Sequence, residues 1–139
     1  EKELPFPLKD QVIFYVGPTP SKPGEVFGSG GPTTSGRMDA FAPTLIKMGL
    51  RSMIGKGYRQ PSVKEAIIEN NGVYFGAIGG AGAMMSNCIK KCEIIAFDDL
   101  GPEAIRRLEV ENMPLVVIID SDGNDQYILG REDYLSTCK

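Results

Sequence analysis

Short apolar, β-branched runs alternate along this chain with segments of helical periodicity, and this alternation restricts the fold more than any other feature. Val12-Ile13-Phe14-Tyr15-Val16 reads as a buried strand closed by Gly17-Pro18. Further strands are expected at Ser52–Ile54, running into the turn Gly55-Lys56-Gly57, at Val73–Ile78, at Glu93–Phe97 and at Leu115–Ile119. Met38, Phe41, Leu45 and Met48 recur at helical steps, which predicts a helix after Arg37 with these four on one face, ending near Gly49. Pro61–Gly72 carries proline in its first turn, Val63, Ala66 and Ile67 on one face, and Asn71-Gly72 at its exit. A third helix is expected after Gly79-Gly80-Ala81-Gly82, carrying Met84, Met85, Cys88 and Ile89, and a short helical turn at Gly101–Arg107. Asp120–Asp125 has hairpin chemistry, with Tyr127-Ile128-Leu129 as the returning strand and a fraying tail from Arg131. The order predicts an α/β fold, a mixed sheet with packed helices.

At 139 residues the chain is the size of one domain, 1–139. Its net charge of −3 argues against a nucleic-acid-binding surface. No apolar run is long enough to span a membrane, and the start Glu1-Lys2-Glu3-Leu4-Pro5 has no signal-peptide pattern. Cys88, Cys92 and Cys138 form no secreted disulfide framework, so a reducing cytoplasm is expected. Cys88 and Cys92, four apart, could share a helical face, but a metal site would need two more ligands and the chain has no histidine. They are read as free thiols, and no metal ligand is assigned. Without histidine, a self-contained Ser-His-Asp or Cys-His hydrolase is excluded, and proton transfer near neutral pH must use another residue type, a partner or a cofactor.

The stretch Gly28-Ser29-Gly30-Gly31-Pro32-Thr33-Thr34-Ser35-Gly36-Arg37-Met38-Asp39 concentrates the candidate chemistry. It reads as a flexible loop feeding a helix N-terminus, with Ser35 or a neighbouring threonine as cap. Arg37, placed in the first turn, adds a fork-shaped cation for a carboxylate or phosphate. Lys56, flanked by Gly55 and Gly57, is free to reach into a cleft, although composition alone favours a surface lysine in a turn. By residue type alone, Thr33 and Thr34 are capping or loop hydrogen-bonding residues. Gly79-Gly80-Ala81-Gly82 lacks dinucleotide-fingerprint spacing and is read as close helix-on-strand packing; the Asp120–Asp125 cluster lacks the distal glutamate of a calcium loop.

The Gly31-Pro32-Thr33-Thr34-Ser35-Gly36-Arg37-Met38-Asp39 run, with Ile54-Gly55-Lys56-Gly57 and Gly79–Ala83, resembles the iron–sulfur hydro-lyase family. It is most similar to the β subunit, or equivalent C-terminal domain, of class I fumarate hydratase and L-tartrate dehydratase. The resemblance implies a swivelling β/β/α domain active only with an α subunit, hence a hetero-oligomer. It implies a [4Fe–4S] cluster held by that partner and not by this chain. The implied reaction is reversible hydration of fumarate to L-malate, with tartrate dehydration as the alternative; a non-catalytic carboxylate-binding module is the rival of another class. By the resemblance Thr33 handles the proton at carbon, Arg37 and Lys56 hold substrate carboxylates, and Thr34 and Ser35 shape the loop and offer backbone N–H groups. Family members carry an upstream β-rich stretch with a substrate-contacting arginine; nothing here matches it, and a trimmed subunit is expected.

Overall fold

A computed structural model of the chain describes residues 4–138. Three parallel strands, β1 (Val12–Phe14), β2 (Ser52–Gly55) and β3 (Val73–Gly76), lie side by side in chain order. A fourth, β6 (Val116–Ile119), joins β3 antiparallel, which makes the sheet mixed, as expected. The crossover from β1 contains a 3₁₀ turn (Ser35–Met38) and α1 (Ala42–Lys47); that from β2 contains α2 (Pro61–Glu69). Between β3 and β6 come α3 (Gly82–Asn87), then β4 (Ile89–Ala96) and β5 (Ile105–Val110), which form a separate antiparallel ribbon. α4 (Gln126–Thr137) ends the described chain. The fold is α/β.

Side-chain alternation along the central strands builds two apolar layers. Met53, Tyr74 and Ile119 join Ala42 and Ile46 of α1 and Val63, Ala66 and Ile67 of α2 in the larger core cluster. Ile54 and Ala77 join Met85 of α3 in the second. α2 is as expected: Gln60 is extended ahead of Pro61, and after Glu69 the chain leaves through Asn71 at φ 51°, with Gly72 N–H donating to Ile67 O at 2.8 Å.

Four expectations are corrected. Met38, Phe41, Leu45 and Met48 do not share one helical face, since Met38 ends the 3₁₀ turn and α1 begins only at Ala42; Asp39, Ala42 and Ile46 are buried, while Met38, Phe41 and Met48 are exposed. The chain runs as a 3₁₀ turn to Met38 and enters α1 only at Ala42-Pro43, so the periodicity spans a break and loses its phase. Cys88 caps the end of α3 and Cys92 lies in β4, so they share no helical face. Residues 105–107, read as the end of a helical turn, instead open β5, because the segment pairs antiparallel with β4, with opposite charges facing each other as Arg107–Glu93 (3.4 Å) and Glu109–Lys91 (2.8 Å). Finally, the turn after β6 closes with a single bridge, Ile119 to Asp125, and then becomes a helix instead of a returning strand. Asp125 is the reason: its carboxylate accepts from Tyr127 N–H at 3.0 Å, capping α4 and carrying helix through the segment expected to fray.

Candidate functional site

In open α/β sheets the loops beyond the carboxyl ends of parallel strands meet at one edge. Here those loops are the ones following β1, β2 and β3, and they hold Thr33, Thr34, Ser35, Arg37 and Lys56. Thr33 N–H donates to Tyr15 O at 2.8 Å, fixing the glycine-rich loop to the end of β1. Lys56 N–H donates to Thr33 O at 3.3 Å and Ser35 N–H to Lys56 O at 3.0 Å, so Thr34 and Lys56 pair as in a parallel ladder and share a face. The two glycine clusters also touch: Gly30 N–H donates to Gly82 O at 3.2 Å. A Cβ on Gly82 would stand 2.6 Å from Ser29 Oγ and 3.0 Å from Gly31 N, so this crossing needs glycine.

Arg37 and Lys56 flank the threonine pair. The Arg37 guanidinium donates through Nη2 to Thr33 Oγ1. A hydroxyl that accepts from a guanidinium keeps its own proton to donate. Lys56 is exposed, and its Nζ lies 4.0 Å from where a Cβ on Gly79 would be, so the amine overhangs the β3–α3 loop. Neither cation is in a salt bridge among the described residues, and both are open to an anion. Thr33 is half-buried beneath Arg37, and Thr34 is exposed beside Lys56.

Ser35 faces the other way. Its side chain is fully buried against the Tyr74 phenol at 3.0 Å, and its N–H is committed to Lys56 O. It makes no side-chain cap, and neither does Thr34. The loop also leads into a four-residue 3₁₀ turn in which Arg37 is third, so the anticipated helix N-terminus is replaced by side-chain cations.

Residues that sequence reasoning passed over lie directly underneath. Arg59 Nε donates to Asp39 Oδ1 at 2.7 Å, with side-chain exposures of 0% and 1%. Gln60 N–H donates to Asp39 Oδ2, also at 2.7 Å. The Arg59 guanidinium carbon lies 4.8 Å from the centre of the Tyr74 ring and 5.7 Å from that of Tyr15, so the buried charge is held between aromatic faces. Burial pushes both phenols above their ordinary value of 10.0. Asp39 and Arg59 are twenty residues apart, and no local periodicity links them.

The cysteines stay apart from this edge, at the end of α3, in β4 and after α4. Among the described residues no three His, Cys, Asp or Glu side chains are grouped so that they could hold a metal ion. No helix among the described residues is long and apolar enough to cross a membrane.

A family model described as Fumarase C-terminus matches residues 1–129. The chain belongs to this family. It is 42% identical over 126 residues to a protein of Escherichia coli (strain K12) named fumarate hydratase class I, anaerobic, covering 89% of this chain and 23% of the relative. A Leishmania major protein named fumarate hydratase 1, mitochondrial, is also 42% identical, again over 89% of this chain and 23% of the relative. The chain therefore spans about a quarter of the length of these relatives. It is 37% identical over 132 residues to a Methanocaldococcus jannaschii protein named putative L(+)-tartrate dehydratase subunit beta, covering 91% of this chain and 68% of that one. The Fumarase C-terminus match takes in all three loops of the site, from Gly28 to Gly82.

Proposed function

We propose that this chain is the β-subunit-type part of a class I hydro-lyase that interconverts fumarate and L-malate, working with an α subunit. One observation supports it above the rest: Arg37 and Lys56 flank Thr33 and Thr34 on two directly paired segments, neither cation in a salt bridge among the described residues, within a chain of the Fumarase C-terminus family.

Fumarate carries two carboxylates, and a dianion is held best by two fixed cations. Arg37 would take one carboxylate with the guanidinium nitrogens not given to Thr33, and Lys56 the other. Hydration places hydroxyl on one carbon and hydrogen on its neighbour. Thr33, its oxygen already accepting from Arg37, is assigned the proton at carbon in this reading. A threonine hydroxyl is a weak base, so an ionised group on the partner must pass the proton onward. The [4Fe–4S] cluster implied by the resemblance would be held by the α subunit and would supply a Lewis acid. Large exposed apolar side chains close to the cations in sequence favour a covering partner: Phe41, four residues after Arg37, is 62% exposed and Tyr58, two after Lys56, is 65% exposed.

Tartrate is the second reading, favoured because the relative named a tartrate dehydratase β subunit is matched over 68% of its length. Reconstitution with a cluster-loaded α subunit under anaerobic conditions tests both, with malate and tartrate assayed side by side. Fumarate formation from malate that is lost on Arg37→Ala is the expected result. Full activity of the Arg37→Ala complex would overturn the assignment, and turnover of tartrate alone would select the second reading.

A further inference from the structure

Three ties join the turn 33–39, which carries Thr33 and Arg37, to the turn 55–60, which carries Lys56. The first is the backbone pairing of Thr33 and Ser35 with Lys56. The second is Tyr74, contributed by β3, whose hydroxyl lies 3.0 Å from both Ser35 Oγ and Gly57 O. A carbonyl only accepts, so the phenolic proton goes to Gly57 O and the Ser35 hydroxyl donates to the phenol oxygen; all three groups are then satisfied. The third is Asp39, whose two carboxylate oxygens accept from Arg59 Nε and Gln60 N–H, each at 2.7 Å. Each tie begins in one cation-bearing turn and ends in the other.

We propose that Asp39, Arg59 and Tyr74 are positioning residues of the carboxylate site, fixing the spacing of Arg37 and Lys56. A buried ion pair adds little stability over apolar side chains of the same volume, so its placement asks for another account. Asp39 follows the 3₁₀ turn that holds Arg37, and Arg59 lies three residues beyond Lys56. The Arg59 side chain is itself steadied by Met53 Sδ at 3.4 Å and by the Tyr74 ring. Cations placed by such a support match a ligand with two carboxylates at a set separation. Loosening the support costs a dicarboxylate its second contact and leaves a monocarboxylate almost untouched.

This inference rests on the reading of Arg37 and Lys56 as dicarboxylate contacts. The test uses the complex with the α subunit and two probes that differ by one carboxylate, L-malate and L-lactate. Both probes are measured as competitive inhibitors of fumarate hydration, malate as its product and lactate as an unreactive analogue. Tyr74→Phe, which removes one oxygen, and Asp39→Asn, which removes one charge, are each expected to weaken malate by about tenfold and to change lactate by less than about twofold. If the Asp39→Asn complex does not assemble, Tyr74→Phe decides alone. Wild-type malate affinity in Tyr74→Phe overturns the inference, as does equal weakening of both probes. Arg37→Ala separates the two layers. If it leaves malate affinity unchanged, the contact reading fails and the positioning role falls with it. If Arg37→Ala weakens malate while Tyr74→Phe does not, the contacts stand and only the positioning role is lost.

Discussion

Gly55 faces Ser35 so closely that a Cβ at position 55 would overlap the Ser35 hydroxyl. The backbone at the end of β2 thus lies against the Ser35 side chain, and Ser35 N–H donates to Lys56 O at 3.0 Å, which sets Lys56 opposite Thr34.

Gly55→Ala is expected to destabilise the chain by about 1–3 kcal/mol, since Ser35 must abandon Tyr74 to make room. Gly79→Ala is the matched control: its Cβ would meet only Lys56 Nζ, at 4.0 Å, and the change should stay within about 0.5 kcal/mol. Thermal melts of the two variants beside wild type check the difference. Equal melting temperatures would show that the approach at Gly55 is slack.

Asp39→Ala strands the Arg59 charge, whose side chain is 0% exposed, and removes the acceptor of Gln60 N–H. Removing one member of a buried pair costs about 3–5 kcal/mol, whereas replacing both with apolar residues is close to neutral. Asp39→Leu combined with Arg59→Met should thus recover part of the loss, read as the urea midpoint. A double variant less stable than Asp39→Ala would contradict the account.

Alkaline stability follows from the phenols. Burial raises the folded-state values of Tyr15 and Tyr74 above 10.0, against the opposing influence of Arg59. The unfolded chain then binds fewer protons than the folded one once pH passes about 10, and stability falls as pH rises. Their contribution is fully present below pH 10 and is lost as pH climbs through the raised values. Urea midpoints at pH 8 and above pH 10 should show the decline, and Tyr74→Phe should make it shallower. An unchanged slope in that variant would exclude Tyr74 as a source.

Arg37→Lys keeps the charge but loses the planar fork that donates to Thr33 and, in the proposed function, takes a carboxylate beside it. In the complex, KM for malate is expected to rise by about tenfold, with stability of the chain alone within about 0.5 kcal/mol of wild type because Arg37 is exposed. A KM equal to wild type would mean that charge alone suffices.

Local chemistry determined much of this protein without help from the fold. The alternation of apolar runs with Pro61–Gly72 and similar segments specified α/β layers, because strand and helix periodicities differ over a few residues. Arg37, Lys56 and Thr33 were legible as candidates because glycines and a specific motif surround them. Tertiary structure decided the rest. Ile105–Val110 became a strand only through partners on Ile89–Ala96, since its charged positions carry no strand signal of their own. The roles of Asp39, Arg59 and Tyr74 were silent in the sequence, although Asp39 closes the motif run, because a buried ion pair and a phenol's hydrogen bonds are defined by what meets across strands, not by neighbours along the chain. Ser35 turned inward for the same reason: the space beneath it exists only once Gly55 and Tyr74 arrive from elsewhere.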